Sequence, residues 1–145
     1  MYRFEKLVVW QRGMDLVVEV YRVTNAYPSD ERFGLTPQTR RAATSIPLNI
    51  AEGCAARSRK EFAQFLSVAL RSQYELATAI RIGLRLEYLD QPLFDDLDHR
   101  TSEVGRLLQG LSDSINREPG KLADSPLDPA IENDLTILAL FLTEP

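Results

Sequence analysis

Histidine and cysteine are nearly missing from this chain, whose 145 residues hold one of each, His99 and Cys54. A single cysteine excludes an intrachain disulfide, in keeping with a reducing compartment. A lone histidine cannot supply a multi-histidine metal site, and one histidine far along the chain from one cysteine is thin ground for a thiol nucleophile. Asp95, Asp96 and Asp98 beside His99 read as acids at a helix start next to a solvated histidine, not as a metal cluster. There is no glycine-rich phosphate loop and no nucleotide fingerprint. No apolar run approaches the roughly 20 residues that span a bilayer. The N-terminus lacks signal-peptide architecture, so the expected location is the cytoplasm. These absences lead us to expect no enzymatic activity, no cofactor, no metal and no membrane partner.

What is present is unevenly distributed charge. The formal net charge is −4, yet residues 1–117 carry 16 basic and 15 acidic side chains, whereas residues 118–145 carry 1 and 6. Within the first part, residues 35–86 hold 8 basic and 3 acidic residues and residues 87–117 hold 3 and 7. A polarised surface follows, and the overall acidity does not exclude an anionic partner.

Apolar periodicity predicts an all-α domain over residues 1–117. A first helix over residues 6–25 carries two apolar stripes. Leu7, Trp10, Met14, Val17, Val18 and Tyr21 form one, which is expected to face the core. Val9, Gly13, Leu16, Val20 and Val23 form the other and ask for a second partner, for which another copy of the chain is the first choice. Two alternatives stand beside this: the valines belong to a strand, or the tail covers the stripe.

A second helix, with Thr36 as N-cap and Pro37 at its first position, is expected to reach about residue 57 and to kink ahead of Pro47. At about 100° per residue it has almost no solvated face: Gln38, Arg41, Ser45, Asn49 and Glu52 make one polar stripe amid small and apolar residues. We read that stripe as a buried hydrogen-bond network that sets helix register. Its alternatives are a ligand or catalytic role for Glu52, and a stripe lining the opening of an oligomer. Ser58 and Glu61 have the form of a capping box and open the longest helix, over residues 58–88. Asp90 and Pro92 start a fourth. Short connections make neighbouring helices antiparallel, which gives an up-down-up-down four-helix bundle.

Residues 118–145 form a separate region. The stretch 118–129 is rich in Pro, Asp and Ser and reads as a linker. Residues 135–142 are a short apolar run that packs either on the bundle or on a neighbour. On the other side of the chain's charge balance, Arg57, Arg59, Lys60, Arg71, Arg81 and Arg85 form a basic face without interleaved aromatics. Such a face is suited to phosphate backbones rather than to base stacking, and repetition in an oligomer would strengthen it.

Segments 7–11 (LVVWQ), 34–38 (GLTPQ), 40–53 (RRAATSIPLNIAEG) and 58–62 (SRKEF), with the Pro28 connection, resemble bacterial four-helix-bundle proteins encoded in intervening sequences of 23S ribosomal RNA genes. The resemblance extends over roughly residues 4–116, and the family is similar in fold to the accessory variability protein of diversity-generating retroelements. It implies an antiparallel bundle assembling as a homopentameric ring, with no established enzymatic activity. The expected function is thus that of a homo-oligomeric, RNA-associated adaptor using the basic face. The alternative is a protein-interaction scaffold that uses the second stripe of helix one and the C-terminal segment.

Overall fold

The order of elements in the computed structural model, which describes residues 1–117 and 125–142, follows directly from where the chain supplies caps and breakers. A short 3-10 turn, Arg3–Lys6, leads into α1, Val8–Thr24. A second 3-10 turn, Ser29–Glu31, follows Pro28 and leads to α2, Leu35–Gly53. The longest helix, α3, is Arg59–Arg85, then come α4, Gln91–Ile115, and α5, Pro129–Leu138. Five α-helices and no strands make up the described residues. Helices α1 and α2, α2 and α3, α3 and α4, and α4 and α1 pack pairwise in a closed cycle, and α5 lies against α1 and α4.

The caps explain most boundaries. The Ser58 side chain accepts the Glu61 N–H at 3.1 Å and Asp90 accepts the Leu93 N–H at 2.9 Å, each satisfying a donor that the first turn leaves unpaired. Helix α2 starts one residue before the expected Thr36 cap: Gly34 stands at its N-cap position and offers no side-chain oxygen. The Glu31 carboxylate takes that role, accepting the Leu35 N–H at 3.2 Å and the Tyr88 hydroxyl at 2.8 Å. It thereby ties the start of α2 to the connection between α3 and α4. A Cβ at Gly34 would collide with the same carboxylate, so glycine belongs to this arrangement. Asp128 and Pro129, expected in the linker, are instead the cap and first residue of α5, with Asp128 accepting the Ala130 N–H at 2.8 Å.

The two stripes of α1 are exchanged relative to expectation, except at Leu7, which precedes the helix and is buried as expected. Val9, Gly13, Leu16, Val20 and Val23 are buried in the core of this single chain, while Met14, Val18 and Tyr21 are exposed and Trp10 and Val17 half-buried. The stripe assigned to a second copy is therefore already covered by the chain's own helices. The physical reason is size. Gly13 lets α2 approach until Ile46 and Pro47 lie 3.6–3.7 Å from where a Cβ would stand. A stripe of glycine and short branched side chains permits that approach, and one of Trp, Met and Tyr does not.

Helix α2 is likewise less enclosed than its composition suggests. Ala42, Ala43, Ile46 and Ile50 are buried, but Gln38, Arg41, Leu48 and Glu52 are exposed. The neighbouring Arg40 crosses to α1, donating to Thr24 Oγ1 at 2.9 Å and Asn25 Oδ1 at 3.2 Å, with its guanidinium 4.5 Å from the Tyr21 ring centre.

Candidate nucleic-acid interface and assembly surface

Residues of α3 that escape both flanking helices define its outer face, and their charge leans basic. Lys60, Ser67, Arg71, Tyr74, Thr78, Arg81 and Arg85 are all exposed, with Glu61 and Glu75 the exposed acids of the same helix. At about 100° per residue Lys60, Arg71 and Arg85 fall within roughly 40° of one another. They are spread about 16 and 21 Å apart along the axis at 1.5 Å per residue.

The six basic residues expected to act together are not equivalent. Arg59 sits at the start of α3 and sends its Nη2 toward the Ser114 and Ile115 carbonyls at 3.5 and 3.3 Å, which places a cation on the C-terminal end of α4. Arg81 pairs with Asp98 of α4 at 3.0 Å and donates to the Ala77 carbonyl at 2.8 Å, its guanidinium 5.4 Å from the Phe94 ring centre. Those contacts hold α3 against α4. Arg57 is exposed at the α2–α3 junction, and its backbone N–H donates to Glu61 at 3.2 Å. Lys60, Arg71 and Arg85 point into solvent, and they carry the cationic character of the face.

Tyr74 was missed by the sequence reading. It is 70% exposed, one turn beyond Arg71 and about one turn before Thr78, so the face holds an aromatic ring. Its signal was available: a tyrosine at i+3 from an exposed arginine, off the stripe of buried leucines.

The polar stripe of α2 narrows to a smaller set. Asn49 donates its amide to the Ser45 carbonyl at 2.7 Å and to Ser45 Oγ at 3.0 Å, and Ser72 of α3 donates to the same Oγ at 2.8 Å. Ser45, Asn49 and Ser72 thus link α2 to α3. Gln38, Arg41 and Glu52 stand outside this link on the solvent side, because among the described residues α1 and α3 are the helices that flank α2. Asp95, Asp96 and Asp98 are also dispersed: Gln91 donates to Asp95 at 2.8 Å, Arg100 pairs with Asp96 at 3.0 Å and Asp98 holds Arg81, while His99 is exposed. Among the described residues no group of three or more His, Cys, Asp or Glu side chains is placed to hold a metal ion.

A second surface runs along α1 and α2. Met14, Val18 and Tyr21 of α1 and Leu48 of α2 are exposed, Val18 at 63% and Leu48 at 58%. At its N-terminal end the rings of Tyr2 and Phe4 stack at 5.2 Å, and Phe4 meets Trp10 at 5.2 Å. A cavity of about 450 Å³ opens there between residues 1–4 and Ala51, Cys54 and Ala55. No helix of the described residues is long and apolar enough to cross a membrane.

Fold and surfaces together define an all-α protein whose distinguishing features are faces, a cationic one on α3 and an apolar one on α1 and α2. The family described as 23S rRNA-intervening sequence protein matches residues 5–110, and the chain belongs to that family. Comparison with curated proteins returns no match. Among solved structures, the chain is similar to a protein of unknown function from the S23 ribosomal protein family of Bacteroides thetaiotaomicron, determined at 1.70 Å. The two are 26% identical with a TM-score of 0.65, over 77% of this chain and 100% of that one. The match to the family ends at residue 110, before α5 begins.

Proposed function

We propose that the protein is a non-enzymatic, self-associating four-helix-bundle adaptor that binds structured RNA through the outer face of α3, in the cytoplasm. The observation that carries this reading is the stripe of Lys60, Arg71 and Arg85, exposed on one side of a 27-residue helix. Cations at such spacing suit the phosphate backbone, which supplies most of the affinity in sequence-tolerant binding. Tyr74, exposed on the same face, adds a ring on which an unpaired base can stack. The family's description refers to 23S rRNA, which makes structured RNA the partner to test first.

Self-association runs through the exposed stripe of α1 with Leu48, not through the buried stripe that periodicity first indicated. A set of exposed apolar side chains that crosses two helices is what an interface between copies requires. The resemblance to ring-forming bundles makes five the subunit number to test, by light scattering. Each copy then repeats the α3 face around the ring, which multiplies a modest patch.

Titration of labelled structured RNA at several salt concentrations tests the reading. Replacing Lys60, Arg71 and Arg85 by Gln should weaken binding and lower the slope of log K against log salt by about 2–3. No binding at low salt would sink the RNA reading. The same α1–α2 surface favours a second reading, a scaffold that captures a protein without nucleic acid. Nuclease treatment during capture separates them: partner retention after nuclease supports the scaffold.

A further inference from the structure

Asp134 is the carboxylate most deeply placed in the described chain, at 2% exposure, and it belongs to α5, beyond the family match. Its two oxygens accept the Val8 N–H at 2.7 Å and the Val9 N–H at 2.9 Å. Helix α1 has no cap of its own, because Leu7 stands at its N-cap position. A residue 126 positions away therefore satisfies the first donors of the first helix. Two further contacts and one sealed side chain fit α5 to the same place. Ile131 fills the space above Gly110 of α4, where any Cβ would meet its tip, and Leu138 is sealed at 2% exposure. Arg3 lies 5.0 Å from the ring centre of Phe141, just past the helix.

Together these contacts describe a receptor groove between α1 and α4 and a short amphipathic helix with one central carboxylate that fits it. The helix is joined to the groove only through the chain between Ile115 and Pro129. That chain can reach about 46–50 Å if extended, at 3.3–3.6 Å per residue. We propose that α5 is exchangeable and that the α5 of a second copy seats in this groove, Asp134 of one copy capping α1 of another. The occupant's chemistry is matched at three separate points: a carboxylate to unpaired backbone donors, a branched apolar tip to a glycine gap, and an aromatic ring to an arginine. An identical groove exists on every copy, so exchange keeps every contact while joining neighbours.

The close approach of Gly110 to Ile131 gives the test, since a built Cβ at position 110 lies 3.4 Å from Ile131 Cγ1, the branch whose place a cysteine sulfur can take. Full-length chains carrying Gly110→Cys with Ile131→Ala, which relieves the clash with the new Cβ, and chains carrying Ile131→Cys alone, each with Cys54→Ser, are mixed and oxidised. Exchange predicts a covalent dimer of the two variants, reduced at least tenfold when Leu138→Asp is added to the Ile131→Cys chain. If the mixture gives no dimer while both cysteines on one chain close an internal bridge, α5 is held only by its own chain and the proposal fails. Should the first pair prevent folding, Arg3→Cys and Phe141→Cys chains joined by a bifunctional thiol crosslinker repeat the experiment, because a guanidinium 5.0 Å from a ring centre leaves the two Cβ atoms beyond disulfide reach. A dimer that Leu138→Asp does not diminish would also overturn it, since it would arise without α5 docking.

Discussion

Helix α1 carries two apolar stripes with different fates. The inner one, Val9, Gly13, Leu16, Val20 and Val23, is sealed within the chain, and the outer one, Met14, Val18 and Tyr21, is open to solvent. The difference teaches that shape, not greasiness, decides which side of a two-sided helix becomes core. Short side chains around Gly13 let two helices come within packing distance, whereas large ones hold neighbours off and suit a contact between preformed surfaces.

The largest break in this comparison should come from the inner stripe. Leu16→Ala removes a side chain that is 1% exposed and should lower unfolding free energy by about 2–5 kcal/mol, read by urea denaturation. Val20→Asp should abolish cooperative folding, since it buries a charge without a partner. If Val20→Asp folded normally and only failed to associate, the inner stripe would be the interface after all.

An intermediate effect belongs to the cap where both stripes begin. Asp134→Ala leaves the Val8 and Val9 N–H groups unpaired, which costs about 1–3 kcal/mol. The loss should fall on α5 first, because water can reach those donors once α5 lifts away. Hydrogen exchange should therefore quicken at α5 and residues 8–9 while the buried amides of α3 stay protected. Burial raises the Asp134 carboxyl above its ordinary range, against the lowering effect of its N–H partners from Val9, Val8 and Asn133. The docked state therefore holds that proton more tightly than the undocked one. Its contribution is fully present below the ordinary carboxylate value and is lost as pH rises through the raised one. Measured against Asp134→Asn, the chain should gain relative stability as pH is lowered from 7 toward 4; a flat difference would contradict the shift.

A smaller effect on stability, and a decisive one on assembly, is expected from the outer stripe. Val18→Asp should change stability by no more than about 0.5 kcal/mol, because its side chain is mostly solvated, yet reduce the oligomer seen by light scattering. An unchanged mass would place self-association elsewhere. A chain already monomeric without the substitution would remove self-association from the proposed function.

Much of this was legible in the sequence, and the exceptions have physical causes. Period and caps located the four long helices, because Ser58, Asp90 and Pro92 act within one turn of themselves. Periodicity found both α1 stripes but could not orient them, since a helical wheel carries no information on which neighbour comes close; Gly13 was the clue. The α2 stripe looked buried because small residues flank it, and a composition of alanine and threonine fits a half-covered helix as well as an enclosed one. The basic residues were found but not sorted, since Arg59 and Arg81 take up contacts to α4 that only the fold creates. Asp134 lay beyond any local rule, its partners being 126 and 125 positions away.

Cys54 offers the finest probe, read as a reaction rate and not as stability. It lies at the end of the outer apolar surface, beside Ala51 and Ala55 and under residues 1–4, in the cavity of about 450 Å³. Burial, and behind it the negative charge of Asp134, pushes the thiol up to about 12. Thiolate is the reactive form, so alkylation at pH 7.5 should run about two to three orders of magnitude slower than in the urea-unfolded chain. Removing the lesser cause separates the two contributions: Asp134→Asn should speed the reaction modestly, leaving most of the suppression in place. A rate equal to that of the unfolded chain would mean that the outer surface is open down to its floor at Cys54. The contrast between a sealed inner stripe and an exposed but ordered outer one would then fail at its N-terminal end.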